Sequence, residues 1–168
     1  MLWPETTERN QDGALTVGGM SMVELAGRFG TPLYVIDEAT LRHRARRVTA
    51  AFAAAYPRSR VFYAGKAYLS PAIVALLHQE GLGLDVVSGG ELYAGLKAGV
   101  PAAEITFHGN NKEECELRQA LRAGVGHIAV DNFDELALLE QLTAELDMPV
   151  RILLRVNPGI DVHTHDKI

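Results

Sequence analysis

The sequence predicts an α/β protein: a (β/α)8 barrel of the TIM type, of which about six β/α units lie within its 168 residues. Short apolar runs rich in β-branched and aromatic residues alternate with helical patterns. Five of the runs begin at residues 61, 84, 105, 128 and 151, so consecutive units are 21 to 23 residues long. A near-constant unit favours a barrel over a doubly wound sheet, which needs a longer connection where its strand order reverses.

The predicted strands are apolar and bounded by turn residues, which is typical of strands buried on both faces of a parallel sheet. A seventh strand would begin near residue 174, and a barrel closes with eight strands over about 250 residues. We therefore expect the chain to be the front portion of a longer polypeptide, or a truncated one. The six predicted strands are "LYVI" from Leu33, "VFYA" from Val61, "LDVV" from Leu84, "ITF" from Ile105, "IAV" from Ile128 and "RILLRV" from Arg151.

Helices are predicted between the strands from their caps and apolar stripes. "SPAIVALLHQEG" has Ser70 as N-cap, Pro71 at the first helical position and Gly81 at the stop. "GGELYAGLKAGV" places apolar residues 92, 96 and 100 on one stripe. "DNFDELALLEQLTAELDMP" is capped by Asp131 or Asn132 and closed by a proline.

Residues 1–30 precede the repeat and are predicted to form a leader that belongs to a second, β-rich domain. "ALTVGG" is strand-like, and "SMVELAGRFG" predicts a helix from Ser21 to a stop at Gly30. Residues 31–168 are then the partial barrel, and Thr31 and Pro32 lead into its first strand.

Composition predicts a globular cytoplasmic protein. A net charge of −5 and a pI near 5.7 argue against nucleic-acid or membrane partners, which need clustered Lys and Arg. The one basic cluster, "RHRARR" from Arg42, is interpreted as a solvated helix face. The single Cys115 lies in a predicted helix start and cannot form an internal disulfide. No signal peptide or membrane span is predicted.

Polar residues follow each predicted strand, and in a barrel of parallel strands these positions meet at one rim. Ser88, Asp131 and Asn132 also occupy N-cap positions, as does Asp37 after the first strand, and capping is the favoured explanation for them. Charged residues within or at the end of a buried strand are harder to explain, because an unpaired buried charge is costly. Those residues are Lys66, Asp85, His108 and Arg155.

Lys66 has two interpretations on position alone. It is either a surface lysine whose stem packs on apolar neighbours, or a partly desolvated amine that condenses with an aldehyde. Pyridoxal phosphate is the commonest aldehyde that a protein holds in this way.

Four segments, in the family's order from about Thr31 to Ile168, resemble fold-type III pyridoxal-phosphate enzymes, the barrel family of alanine racemase and the ornithine, arginine and diaminopimelate decarboxylases. "VFYAGKA" resembles the family's lysine segment, although many relatives have "YAVKA". "GLGLDVVSGGELYAGLKAGVP", "ITFHGNNKEECEL" and "LLRVNPGIDVHTHDKI" resemble the diaminopimelate decarboxylase branch.

The resemblance implies roles for the residues that match. Lys66 is the expected Schiff-base lysine for pyridoxal 5'-phosphate. Asp85 and Glu91 match the acidic pair of a D-x-x-S-x-x-E motif, with Ser88 between them, that lies near the lysine and the cofactor. Arg155 matches an arginine under the cofactor ring.

Two further matches are typical of the diaminopimelate branch. His108, Asn110 and Asn111 belong to the "HGNNK" turn and are expected at the rim, with His108 near the cofactor. His163 and His165 match an "HTH" sequence to which we assign no role; two histidines without a further ligand do not predict a metal site.

The resemblance implies decarboxylation of meso-2,6-diaminopimelate to L-lysine and carbon dioxide, the last step of lysine biosynthesis, by a homodimer whose active sites are completed across the interface. The family's phosphate-binding loop and remaining catalytic groups are expected beyond Ile168, so these 168 residues alone are expected to be inactive. Three alternatives stay open: another amino-acid decarboxylase or racemase of this fold, a non-catalytic pyridoxal-phosphate-binding homeostasis protein, and an inactive folding unit.

Overall fold

The computed structural model describes residues 3–160, and its first part is a small antiparallel sheet followed by a helix. Strands β1 (Glu8–Arg9), β2 (Leu15–Val17) and β3 (Met20–Ser21) pair in that order. Helix α1 (Met22–Phe29) begins where the Ser21 hydroxyl accepts a hydrogen bond from the Glu24 N–H, and it ends at Gly30. The strand and helix predicted in the leader are both confirmed.

The remainder is a parallel sheet with helices between its strands, which confirms the predicted α/β class. The sheet order follows the chain without reversal, and every neighbouring pair is parallel. A doubly wound sheet reverses its order, so this topology is that of consecutive barrel units. The strands are β4 (Phe62–Ala64), β5 (Gly83–Val86), β6 (Ile105–Phe107), β7 (His127–Val130) and β8 (Ile152–Leu154).

The structure has five of these strands, so the prediction of six was wrong for "LYVI". Residues 33–36 are not assigned to a strand, and their side chains are exposed, Tyr34 almost completely. A strand exists only where a neighbour pairs with its backbone groups, and within residues 3–160 β4 pairs with β5 alone.

Helices α2 (Glu38–Ala55), α3 (Pro71–Gln79), α4 (Gly89–Lys97), α5 (Glu114–Ala123) and α6 (Phe133–Leu146) connect these segments. The predicted N-caps Asp37, Ser70 and Ser88 each accept a backbone hydrogen bond from the first turn. At α6 the cap is Asn132, which accepts from the Glu135 N–H at 2.8 Å. The alternative cap, Asp131, is instead paired with an arginine.

The core lies between the sheet and helices α3 to α6. Phe107, Ile105 and Ile128 from the strands and Leu92 and Leu117 from the helices are fully buried together. Apolar side chains on a helix stripe pack against the sheet, and their removal from water drives the folding of this region. Among residues 3–160, no helix is long and apolar enough to cross a membrane.

The basic cluster of α2 is not simply a solvated face. Arg42 and Arg46 both donate hydrogen bonds to the Glu80 carboxylate, at distances from 2.5 to 2.9 Å, and so connect α2 to the end of α3. Hydrogen bonds from Arg46 and then Arg42 lower the pKa of Glu80 to about 2. These bonds join α2 to the β/α unit that follows it.

Gly95 provides a test of the close contact between α4 and the sheet. An added Cβ there would lie 2.4 Å from Leu84 Cδ2 in the core, whereas one at Gly90 of the same helix would meet nothing closer than 3.9 Å. We expect Gly95→Ala to lower the free energy of unfolding by about 1–2 kcal/mol because the core is overpacked. We expect Gly90→Ala to leave it unchanged or raise it by about 0.5 kcal/mol. Urea denaturation measures both, and equal effects would contradict the close packing.

Candidate active site

A cleft of about 770 Å³ opens at the carboxyl ends of the parallel strands. Each of the five strands contributes to it, because parallel strands end at the same edge of the sheet. Its polar lining consists of Lys66, Asp85, His108, Asn110, Asn111, Asp131 and Arg155, and its apolar and backbone lining of Val87, Gly109, Ala129, Leu153 and Leu154. The predicted convergence of these polar residues is therefore observed.

Lys66 lies in a 3₁₀ turn, Gly65–Ala67, directly after β4, and its side chain is exposed to the cleft. Gly65 is buried, and an added Cβ would lie 2.9 Å from the Asp85 carbonyl oxygen and 2.6 Å from Leu69 Cδ1. The glycine thus lets the turn approach β5 closely. The lysine amine is held at the cleft by this approach and is accessible to a ligand.

Asp85 and His108 face each other across neighbouring strand ends. His108 Nδ1 lies 3.3 Å from Asp85 Oδ2, while Asp85 Oδ1 is buried and has no hydrogen-bond partner among residues 3–160. Burial raises the pKa of the Asp85 carboxyl, nearby His108 and Lys66 oppose this rise, and Glu91 adds to it. A carboxyl group with a raised pKa in a cleft is typical of a functional group.

Arg155 follows β8 and forms an ion pair with Asp131, which follows β7. The Arg155 Nη1 to Asp131 Oδ1 distance is 2.7 Å, and the arginine side chain remains 68% exposed. Its guanidinium therefore keeps donors free for a ligand in the cleft. Asn110 and Asn111 are exposed on the rim beside it.

Ser88 and Glu91, also candidates from the sequence, do not line the cleft. The Ser88 hydroxyl accepts from the Glu91 N–H at 3.2 Å, and Glu91 Oε2 accepts from the Val87 N–H at 2.7 Å. These two bonds satisfy backbone N–H groups at the start of α4. Glu91 thus binds the backbone of Val87, which lines the cleft, and Ser88 caps the helix that carries Glu91.

His163 and His165 lie outside the described residues. Among residues 3–160, no group of three or more His, Cys, Asp or Glu side chains could hold a metal ion.

Sequence reasoning missed a buried ion pair below the cleft. Lys112 Nζ lies 2.8 Å from Glu135 Oε1, and the two side chains are 0% and 7% exposed. Both residues stand near helix starts, where charged residues are usually solvated, so only their burial distinguishes them. Nothing in the local pattern indicates that they meet.

The lining fits pyridoxal phosphate. The cleft volume lies in the usual range for small-molecule sites, about 300–1,000 Å³. It presents one accessible amine for the aldehyde, a carboxyl group whose buried oxygen has no partner in the described part of the chain, and an arginine with free donors. This combination matches a charged aromatic aldehyde better than an apolar ligand.

Comparison with known proteins identifies related sequences. Residues 39–168 match the family model described as the pyridoxal binding domain of pyridoxal-dependent decarboxylases. Diaminopimelate decarboxylase of Bacillus subtilis is 51% identical over 163 residues, which is 97% of this chain and 37% of that protein. The Mycobacterium tuberculosis enzyme of the same name is 41% identical over 99% of this chain and 37% of its own length.

Solved structures agree with these sequence relatives. Diaminopimelate decarboxylase from M. jannaschii in complex with L-lysine superposes with a TM-score of 0.86 at 35% identity, over 100% of this chain and 39% of that one. A lysine/ornithine decarboxylase from Vibrio vulnificus in complex with putrescine gives 0.64 at 30% identity, over 80% of this chain and 35% of that one. The chain thus spans between a third and two-fifths of the length of these relatives.

The Asp85 carboxyl group gives a pH-dependent prediction. Its pKa is raised on folding, so ionising it costs folded-state stability above its ordinary pKa of 3.8, and that cost is absent at lower pH. We expect Asp85→Asn to raise the melting temperature of the cofactor-free protein at pH 7 by about 1–3 °C. The gain should shrink as the pH falls towards 3.8.

Asp131→Asn is the matched control, because the Asp131 carboxylate is paired with Arg155. We expect it to leave the melting temperature unchanged or lower it. Thermal unfolding followed by circular dichroism measures both variants. A lower melting temperature for Asp85→Asn at pH 7 would contradict the claim that the ionised Asp85 carboxylate destabilises the folded protein.

Proposed function

The chain belongs to the pyridoxal-dependent decarboxylases, and on that premise we propose that it is the N-terminal part of a protein that decarboxylates meso-2,6-diaminopimelate to L-lysine and carbon dioxide. The observation that carries this proposal is the accessible Lys66 amine in a polar cleft of suitable size. The substrate is supported by the names of the relatives, of which two are 49% and 51% identical over nearly the whole chain.

We propose that Lys66 Nζ holds the cofactor through its aldehyde carbon. When bound, pyridoxal phosphate supplies an electron sink for the electron pair left on the substrate carbon after carbon dioxide departs. Lys66 Nζ, when it is not bonded to the cofactor, is placed in the cleft to carry a proton to or from a bound ligand.

Asp85, His108 and Arg155 are the proposed cofactor-binding residues beside the lysine. Asp85 Oδ2 orients the His108 ring through the contact to Nδ1, and Asp85 Oδ1 is free for a donor on the ligand. Arg155 supplies guanidinium donors from the opposite strand end. Asn110 and Asn111 are proposed to contact the ligand from the rim, and Ser88 and Glu91 to support the cleft through the Val87 backbone.

We propose that residues 1–30 belong to a second, β-rich domain and that residues 31–168 are part of a barrel. The antiparallel sheet of residues 8–21 is separate from the parallel sheet, which supports the division. Apolar side chains stay exposed along β8 and residues 33–36, which supports further barrel strands pairing there. A homodimer and a cytoplasmic location are also proposed, the dimer because of the family resemblance.

The lysine is tested in the full-length protein that carries this chain. We expect Lys66→Ala to abolish covalent retention of the cofactor after borohydride reduction and to lower kcat/KM by about 1000-fold or more. Mass spectrometry locates the reduced cofactor on a peptide, and release of carbon dioxide from meso-diaminopimelate measures activity. The control is Lys97→Ala, an exposed lysine of α4 above the Tyr93 ring, which should leave both unchanged. Labelling at another lysine would exclude the proposed role of Lys66.

Substrate choice separates the proposal from its alternatives. We expect the full-length protein to release carbon dioxide from meso-diaminopimelate and not from ornithine, arginine or lysine. Activity on one of those amino acids would instead indicate another decarboxylase of this fold, and cofactor binding without any turnover a homeostasis protein. We also expect residues 1–168 alone to be inactive, because the relatives are more than twice as long.

A further inference from the structure

A buried lysine lies beneath the wall of the cleft that residues 108–111 form. Lys112 Nζ donates hydrogen bonds to the carbonyl oxygens of Gly109, at 2.5 Å, and Ala129, at 2.8 Å, and it lies 2.8 Å from Glu135 Oε1. The two carbonyl oxygens accept two of the three ammonium protons. Glu135 Oε1 makes no hydrogen bond among residues 3–160, so its contact with the ammonium group is an ion pair rather than a third hydrogen bond. The Lys112 side chain is 0% exposed, so water does not compete for these protons.

The carbonyl groups that Lys112 binds belong to residues on two sides of the cleft. Gly109 and Ala129 both line it, on the loop after β6 and at the end of β7. Glu135 Oε2 accepts a hydrogen bond from the Asp131 N–H at 3.2 Å, and Asp131 holds Arg155. One ion pair therefore connects the backbone of two consecutive strand ends with the arginine at a third.

The loop after β6 passes close to the end of β5. Gly109 has a φ of +106°, and an added Cβ would lie 3.0 Å from the Val87 carbonyl oxygen. Glycine adopts a positive φ without a steric penalty, and the absent side chain lets the turn approach the Val87 carbonyl. The Lys112 bond to the Gly109 carbonyl comes from inside the fold and anchors this turn.

A contribution to the overall stability of the fold does not explain the buried Lys112–Glu135 ion pair well. Removing two charges from water costs free energy that their attraction often fails to recover, so a buried ion pair is weak evidence for stability. Helices α5 and α6 are already connected by Arg118 and Glu145, whose Nη2 to Oε2 distance is 2.8 Å on the outer surface, whereas Lys112 lies in the loop before α5. The buried pair adds what the outer pair does not, namely a fixed arrangement of the cleft walls.

We propose that Lys112, together with Glu135, is a positioning residue for the cofactor cleft: it fixes residues 108–111 against Ala129 and Asp131 before a ligand enters. Lys112 does not line the cleft, so it acts through the loop and not by contact. A preformed wall lowers the ordering cost of binding. The inference rests on the proposed function for the identity of the ligand but not for the arrangement of the loop.

The test compares two double variants in the full-length protein. Lys112→Met with Glu135→Leu removes both buried charges and leaves apolar groups of similar size. Arg118→Met with Glu145→Gln removes the outer pair, which joins α5 to the same helix α6, and is the matched control. Glu135→Gln alone is the milder third variant: it retains an amide oxygen for the Asp131 N–H and removes the negative charge beside Lys112.

We expect the buried-pair variant to bind pyridoxal phosphate about 10-fold more weakly or worse, with a higher KM for meso-diaminopimelate, since small displacements of binding groups are costly. In the cofactor-free protein, hydrogen exchange should accelerate in peptides covering residues 107–113 and not in those covering α5 and α6. Glu135→Gln should give a smaller effect in the same direction. The outer-pair control should change none of these quantities.

Three results would overturn the positioning role: unchanged cofactor affinity and unchanged exchange in the buried-pair variant, acceleration spread evenly over the barrel, or equal effects in the outer-pair control. If the buried-pair variant does not fold, Glu135→Gln decides by the same exchange measurement. The proposed function fails separately, when the unaltered full-length protein neither retains the cofactor nor releases carbon dioxide from meso-diaminopimelate.

Discussion

The alignment of five short parallel strands is the constraint on which the rest of the structure depends. Each strand contributes three or four residues, and all five end at one edge. A loop that follows one strand is therefore next to the loops that follow its neighbours, although they are more than 20 residues apart in sequence. Polar groups that are far apart in the unfolded chain line one cleft, because the strands that precede them run in the same direction.

Carboxylates in the first turns of the helices hold the loops at that edge. Glu91 accepts from the Val87 N–H, Glu135 from the Asp131 N–H and Glu116 from the Glu113 N–H. In each case the third residue of a helix binds backbone just before the helix. At α5 this is a capping box, whereas Glu91 and Glu135 reach one residue further, past the N-caps Ser88 and Asn132. Glu116 Oε1 also accepts from the Gly89 N–H at 2.6 Å and so joins α5 to the start of α4. The cleft is thus built on backbone that is fixed before any ligand arrives.

The Asp85 carboxyl group lowers the stability of the ligand-free protein but is placed to bind a ligand. Core residues around it are buried and apolar, and the carboxyl group sits among them with one oxygen that has no protein partner in the described part of the chain. Such a group raises the free energy of the folded protein without a ligand, and a ligand donor can recover that cost on binding. Asp131 lies two strands further along the sheet and has the opposite environment, because it is paired with Arg155.

Local patterns in the sequence determined the elements and the candidate residues. Caps such as Ser70 and Ser88, the regular spacing of the strands and the position of Lys66 after β4 all follow from short-range preferences, which a single sequence expresses. Tertiary structure alone decided three other features: residues 33–36 do not form a strand, Asp131 pairs with Arg155 instead of capping α6, and Lys112 is buried against Glu135. Each depends on a partner distant in sequence or on the lack of one, and a pattern of neighbouring residues carries no information about which distant groups will meet.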